Sequence, residues 1–222
     1  ARLGVGGQGI GVAEGAFQHA MAYAMSRAQG KSLIKNGTGT ILDHADVRRM
    51  LTTMKADIYA SRALALANAV AIDMANATGN KDWEARAALL TPITKVFGTE
   101  VGIDVSNLGL QVHGGMGYIE ETGAAQYSRD VRVTAIYEGT NGIHSIDLVG
   151  RKFMDGGMAA KLLLDEISKS IKCDAEVHPK LTELLLNAIK RLSETTDWML
   201  SQTDLNQRFA GAMPYLRAFA RV

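Results

Sequence analysis

Apolar residues recur at helical spacing along most of the chain, whereas the alternation typical of strands is scarce. From Ile10 to Ala24 the apolar side chains lie three or four positions apart, with polar residues mostly between them. This spacing places the apolar side chains on one face of a helix. The pattern predicts a first helix that ends before the Gly/Asn/Thr-rich loop at residues 30–40.

Two long helices are predicted next. One begins with Asp43 as its N-cap and continues to Ala77, where a Thr-Gly-Asn sequence stops it. Its ~35 residues correspond to roughly 50 Å, a length typical of helical bundles. The next helix covers about residues 81–108 and contains Pro92, so we expect a kink or a tight first turn there.

The segment at residues 109–142 differs from the helices before it because it is dense in glycine. A new helix is predicted to begin near Thr140. Functional residues often lie on such connections between rigid elements. This segment is therefore the first place to search for a site.

Beyond residue 155 three amphipathic helices are predicted, at residues 158–172, 179–202 and 204–220, with Pro179 in a first turn. We therefore predict an all-α fold: residues 1–155 form an up-and-down bundle of long helices, and residues 156–222 form a smaller helical C-terminal module.

Composition narrows the classes of function. The chain of 222 residues is 47% hydrophobic and 21% charged, and its 24 basic and 23 acidic residues give a net charge of +1. The absence of a basic block argues against a nucleic-acid partner, and no apolar run reaches the ~18 residues of a membrane span. The single cysteine, Cys173, excludes an internal disulfide and favours a reducing cytoplasm, so we expect a cytoplasmic protein.

Several common kinds of site have little support. The five histidines are scattered without a metal-binding spacing, and Cys173 lies in a predicted surface helix without a nucleophile motif. The sequence GVGGQGIG, at residues 4–11, has no preceding strand and is a weak dinucleotide fingerprint. Glycines that allow close helix packing explain it better.

Two short motifs remain. In QVHGGMGY, Gly114 and Gly115 allow a backbone to approach a ligand closely, and Gln111 could donate a hydrogen bond to it. Taken alone, a tight turn between helices is the better interpretation. In AIYEGTNGI, Glu138 is either an ordinary turn residue or a base aimed into a dry pocket.

The two motifs taken together, at their observed spacing, are more specific than either one alone. The sequence QVHGGMGYIEETGAAQYSRDVRVTAIYEGTNGI resembles the signature of the acyl-CoA dehydrogenase family, with Q-x-x-G-G-x-G-[FY], then R-D, then I-Y-E-G-T at the family's spacing. The resemblance extends from residue 1 to about 153. The loop at 30–40 and the tail resemble a branch with an extra helical C-terminal module, which includes enzymes acting on acyl-CoAs such as methylmercaptopropionyl-CoA.

The resemblance implies an FAD enzyme that removes two hydrogens from an acyl-CoA and gives the trans-2-enoyl-CoA. Glu138 matches the family's catalytic base. Because the α-proton of a thioester is weakly acidic, its base needs a raised pKa, which burial in an apolar pocket gives a glutamate. Some members carry the base on the first helix, but this chain has Ala1 there, which cannot serve.

The resemblance also implies a cofactor site shared between subunits. Its expected residues are Arg27, Gln29, Gln111, Gly114, Gly115 and Thr140. Arg27 and Gln29 match positions that meet the diphosphate region of a neighbouring subunit's FAD, and Gln111 and Gly115 match positions near its adenine half. Thr140 begins a helix that suits a phosphate oxygen. Many members have Gln where this chain has Gly142; Asn141 or His144 could compensate.

For the substrate, the resemblance implies Arg2, Tyr137 and Gly139, although a frayed terminal cation is an equal interpretation of Arg2. We interpret Arg129 and Asp130 as a structural ion pair that fixes the glycine-rich segment.

The expected partners are an acyl-CoA substrate, electron-transfer flavoprotein as acceptor, and further copies of the chain in a dimer or tetramer. We expect the chain to be the C-terminal part of a longer enzyme, to be inactive and nearly flavin-free alone, and to leave Glu138 exposed. Two alternatives stay open: a non-catalytic helical assembly module, and an acyl-CoA oxidase that passes electrons to oxygen.

Overall fold

The computed structural model describes residues 1–173 and 176–222. This part of the chain forms ten α-helices and four short 3₁₀ turns, without a strand. The helices are α1 Arg2–Ser26, α2 Ala45–Thr78, α3 Lys81–His113, α4 Gly115–Tyr118, α5 Ala124–Val131, α6 Asn141–Val149, α7 Met158–Cys173, α8 Pro179–Ser201, α9 Leu205–Ala210 and α10 Ala212–Arg221. The predicted all-α class with long helices is confirmed.

The chain divides into two compact units, to both of which α2 and α3 contribute. The first unit contains residues 1–65 and 97–138, and the second contains residues 66–96 and 139–222. The predicted division into domains at residue 155 stays a prediction.

In the first unit α1 packs closely against α3. A Cβ atom added to Gly9 would lie 2.4 Å from the carbonyl oxygen of Gly98, so only glycine permits this approach of the two backbones. Helix α1 begins at Arg2, well before the clear apolar periodicity from Ile10, so the glycine-rich sequence lies within the helix. The interpretation of this glycine-rich sequence as a helix-packing surface is confirmed.

The second unit has its core where α6 packs on α10 and α7 packs on α8. Leu148 and Leu216 are fully buried there, and the buried Tyr215 hydroxyl lies 2.8 Å from the hydroxyl of Thr196. The predicted helices over 158–172 and 179–202 are confirmed, and Pro179 lies in the first turn of α8. The third is interrupted at Gly211, where α9 ends and α10 begins.

Two predicted helix details differ from the structure. Asp43 lies in a 3₁₀ turn rather than at the N-cap of α2, because its carboxylate accepts hydrogen bonds from the loop before it. Helix α3 continues to His113, five residues past its predicted end, with Pro92 inside it.

Helix α2 is mostly uncovered within the chain. Among the described helices it alone is long and apolar enough to pass a test for a membrane span, with a mean hydropathy of 1.2 over 18 residues, of which 22% are buried. A single helix of this kind is weak support for a membrane span. Its exposed apolar side chains include Leu66, Val70 and Met74.

Candidate active site

Four of the six expected cofactor residues meet at one pocket of the first unit. Arg27, Gln29, Gly114 and Gly115 line a cavity of about 390 Å³. Arg27 caps the C-terminus of α1, and its guanidinium lies 3.2 Å from the Gln29 side-chain oxygen. Arg27 and Gln29 thus lie near Gly114 and Gly115, which follow more than eighty positions later in the sequence. Their role in cofactor binding stays a prediction.

The backbone of Arg27 and Gln29 is fixed by residues that come later in the chain. The amide of Ile41 donates to the Arg27 carbonyl oxygen at 2.8 Å. The Nε2 atom of His44 donates to the Gln29 carbonyl oxygen at 2.7 Å. Two hydrogen bonds thus hold the chain in place where it leaves α1, and they determine where both side chains start.

The loop that carries this anchoring is itself organised by Asp43. Its carboxylate accepts hydrogen bonds from the Thr38 amide at 3.0 Å, the Thr38 hydroxyl at 2.9 Å and the Gly39 amide at 2.9 Å. These bonds, led by that from the Thr38 backbone, lower the pKa of Asp43 to about 2. The carboxylate therefore stays charged at neutral pH and stabilises the loop.

His113 forms part of the same pocket and is 3% exposed. Its Nδ1 atom lies 2.7 Å from the Gly109 carbonyl oxygen and donates to it, and its ring stacks on Tyr23 with centroids 4.4 Å apart. Burial, with a contribution from His19, lowers the pKa of His113. Because His113 is neutral, Arg27 is the cation of this pocket. The Nε2 atom of His113 has no hydrogen-bond partner in the structure.

Gln111 lies on the far side of Gly114, in a second cavity of about 680 Å³ that Tyr118, Arg129 and Arg132 also line. Arg129 donates two hydrogen bonds to Glu120, at 2.8 and 2.7 Å. The predicted Arg129–Asp130 ion pair is wrong in its partner, because adjacent residues on a helix do not face each other. Arg129 still fixes the glycine-rich segment, through Glu120.

Glu138 follows the 3₁₀ turn Arg132–Ala135 and is exposed, as expected. Its φ of 56° lies in the left-handed region that a glutamate rarely adopts. Tyr137 donates a hydrogen bond through its hydroxyl to Gln8 of α1, within the first unit. The apolar neighbour Ile136 is 59% exposed, so the expected dry pocket is not closed around Glu138 by its own neighbours.

The residues after Glu138 belong to the second unit. Gly139 has a φ of 90°, and Thr140 is the N-cap of α6, where its hydroxyl accepts from the Ile143 amide at 3.4 Å. The predicted helix start is confirmed. Lys95 of α3 donates to the Gly139 carbonyl oxygen and to the Asn141 side-chain oxygen, both at 2.9 Å.

The remaining expected residues are placed separately. Arg2 is the first residue of α1 and is half-buried. Neither of the two cavities described above is lined by Glu138, Gly139 or Thr140. The structure thus groups the pocket residues and leaves the glutamate segment as a separate feature that follows them in sequence.

Sequence reasoning missed three residues: His44, His113 as a pocket residue, and Lys95. Lys95 had a usable signal, because it is the single charged residue in the apolar run LLTPITKVFG. A lone charge among buried positions needs a partner. His44 had no such signal, since its role depends on a backbone carbonyl fifteen residues away.

Comparisons with known proteins show which proteins this chain is similar to. A sequence profile described as "acyl-CoA dehydrogenase, C-terminal domain" matches residues 1–153. The chain is similar to 3-methylmercaptopropionyl-CoA dehydrogenase of Ruegeria pomeroyi, with 37% identity over 97% of this chain and 39% of that protein. The chain therefore spans well under half of that relative.

Two solved structures share the fold. ACDH-11 of Caenorhabditis elegans in complex with C11-CoA has a TM-score of 0.81 at 22% identity, covering 99% of this chain and 37% of that one. An acyl-CoA dehydrogenase of Bacillus anthracis complexed with FAD has a TM-score of 0.72 at 21% identity, covering 99% of this chain and 39% of that one. At these identities the likeness concerns the fold alone.

Proposed function

The chain belongs to the acyl-CoA dehydrogenase family, and from this premise we propose that it is the C-terminal domain of an FAD-dependent enzyme that converts an acyl-CoA into its trans-2-enoyl-CoA. Glu138 is the proposed base. The observation that carries this proposal is the left-handed Glu138 within the IYEGT sequence. Backbone strain of this kind is concentrated at functional sites.

Glu138 removes the proton from the α carbon of the thioester. FAD, when bound, supplies the acceptor for the hydride that leaves the β carbon. Ile136 and Tyr137, both exposed in this chain, form the apolar surround once substrate covers them and excludes water. Proton transfer by a positioned side chain contributes about 10²–10⁴-fold to the rate.

The pocket at the end of α1 fits part of a nucleotide cofactor. Its cation, Arg27, suits diphosphate oxygens, which a guanidinium contacts with two parallel hydrogen bonds. Gln29 offers a further polar contact. A cavity of about 390 Å³ holds only part of FAD, so the rest of the cofactor's contacts come from other domains or another subunit.

A second copy of the chain is the proposed cover for helix α2. Leu66 and Val70 are more than half exposed, and the apolar window of this helix is 22% buried. Apolar surface of this extent typically marks an interface. We therefore infer a homo-oligomer, and within the family we expect electron-transfer flavoprotein to accept the electrons.

The test uses the full-length protein that contains this domain. Native protein and a Glu138→Gln variant are purified, their flavin spectra are recorded, and turnover is measured on a panel of acyl-CoAs with a dye acceptor. We expect equal flavin content, because the substitution is nearly isosteric, and a turnover lower by about 10²–10⁴-fold.

Three results would change the proposal. A variant with more than about a tenth of the native turnover would remove Glu138 as the base, given the expected contribution of general-base catalysis. Native protein without flavin would favour a non-catalytic assembly module. Oxygen consumption at the full rate without dye would identify an oxidase.

A further inference from the structure

Lys95 is a lysine whose side chain is completely buried. It lies in helix α3 with a relative exposure of 0%, between the buried residues Thr94 and Val96. Its ammonium group donates one hydrogen bond to the Gly139 carbonyl oxygen and one to the Asn141 side-chain oxygen, both at 2.9 Å. All three residues belong to the second unit.

The position is unfavourable for a charge. Both acceptors are neutral, and burial lowers the pKa of Lys95. An ammonium removed from water without a carboxylate partner is costly, and an apolar side chain of similar volume is usually tolerated better in such a place. Packing alone therefore does not explain a lysine here, and its two hydrogen bonds are the property that an apolar residue lacks.

Both hydrogen bonds are made to the turn at residues 138–140 and the first residue of α6 after it. Glu138 and Gly139 have φ values of 56° and 90°, two left-handed residues in succession. A side chain at Gly139 would meet the His144 Nε2 atom at 3.2 Å, so the turn is tightly packed. Such a backbone persists only where its surroundings determine it strongly.

The geometry points to Lys95 as a positioning residue for Glu138. It holds the carbonyl oxygen of Gly139, the residue that follows Glu138, and the side chain of Asn141, the first residue of α6. Both contacts hold the C-terminal side of the turn to one rigid helix, directly after Glu138. This inference rests on the proposed function, in which Glu138 is the base.

The experiment replaces Lys95 with methionine in the full-length protein, since methionine has a similar length and no donor. Turnover per bound flavin is measured with butyryl-CoA and with butyryl-CoA deuterated at the α carbon. We expect kcat to fall by about 10- to 100-fold, the cost typical of a reacting group displaced by about 1 Å. KM should change much less, and the isotope effect should rise because proton abstraction becomes slower.

Thr94→Val is the matched control. Thr94 is also buried in α3, and its hydroxyl has no hydrogen-bond partner, so the substitution removes a polar atom without affecting the turn. We expect native kcat and a native isotope effect. A merely destabilised protein has fewer active molecules, but its turnover per flavin and its isotope effect are unchanged.

Asn141→Leu is a second variant that keeps Lys95 and removes one of its two acceptors. It should give a smaller loss of kcat in the same direction, and it tests the inference if Lys95→Met does not fold. A native kcat and isotope effect in either folded variant, while Glu138→Gln is inactive, would overturn the role of Lys95 alone. Native turnover of Glu138→Gln would overturn the proposed function and this inference with it.

Discussion

Helix α1 and the loop that follows it at residues 27–40 are neighbours in sequence, but different forces hold them. Helix α1 is fixed by apolar packing: Ala13, Ala20 and Ala24 are 0% exposed, and Gly9 touches the backbone of α3. The loop is fixed by hydrogen bonds, through the Asp43 carboxylate and the carbonyl oxygens of Arg27 and Gln29. Buried apolar side chains dominate the first region, whereas none of residues 27–40 is buried.

The difference explains where the proposed cofactor residues lie. Close packing tolerates few changes of shape, so α1 provides a rigid base. Hydrogen-bonded loops on such a base leave side chains exposed, and Arg27 and Gln29 are both exposed. The two regions should therefore be sensitive to different substitutions. Added side-chain volume should destabilise the helix, and the loss of a hydrogen bond should destabilise the loop.

The largest expected effect comes from Gly9→Ala. The new Cβ would lie 2.4 Å from the Gly98 carbonyl oxygen, so α1 and α3 must move apart. We expect a loss of about 3 kcal/mol of stability, at the upper end of overpacking effects. Gly11→Ala is the control: nothing lies within 4 Å of its Cβ, and it should stabilise the helix by roughly 0.5–1 kcal/mol. Equal denaturant midpoints for the two variants would contradict the packing account.

Arg27→Ala tests the pocket side of the comparison. Loss of a charge-assisted contact to diphosphate should weaken FAD binding by about 10- to 100-fold, because hydrogen bonds to charged groups contribute about 1.5–3 kcal/mol. The melting temperature should change little, since Arg27 is exposed. The measurement is the flavin-to-protein ratio of the full-length protein beside its melting curve. Lys35→Ala, on the same loop but outside the pocket, is the control. A native flavin-to-protein ratio for Arg27→Ala would show that Arg27 is an ordinary solvated surface residue without a role in FAD binding.

The smallest effect is a pH dependence of the loop. The pKa of Asp43 is lowered from 3.8 to about 2 in the folded protein, so its stabilising contribution is complete above about pH 3.8 and is lost as the pH falls through about 2. Asp43→Asn should therefore melt below the native protein at pH 7, and the gap should narrow between these two pH values. Asp46→Asn, which breaks an exposed salt bridge to Arg49 and removes a carboxylate from the first turn of α2, should show a smaller effect. A constant gap for Asp43→Asn down to pH 2 would contradict the assignment.

Local signals predicted much of the helical frame. The start of α6 at Thr140 and that of α8 at Pro179 follow from residue types whose effect is confined to one turn of helix. Asp43 shows the limit of such signals. An aspartate can accept hydrogen bonds from the first amides of a helix or from those of a preceding loop, and here the loop amides of Thr38 and Gly39 are its donors. The break at Gly211 was not predicted, because periodicity continues across it.

The site was predictable only as far as motifs reach. The IYEGT sequence indicated Glu138, and the resemblance grouped Arg27 with Gly115, which the structure places at one pocket. The roles of His44 and Lys95 depend on carbonyl oxygens 15 and 44 positions away. A lone charge in an apolar run marks Lys95, but side-chain patterns do not identify the backbone atoms that Lys95 and His44 contact, so three-dimensional structure was needed to find these partners.

The most direct test of the central claim isolates proton removal by Glu138 from the redox step. The flavin of the full-length protein is reduced beforehand without oxygen, butyryl-CoA is added in D₂O, and deuterium at the α carbon is followed by mass spectrometry. A reduced flavin cannot take a hydride, so exchange reports the base alone. We expect exchange by the native protein and a rate lower by about 10²–10⁴-fold for Glu138→Gln; exchange by the variant at the native rate would contradict the assignment of Glu138.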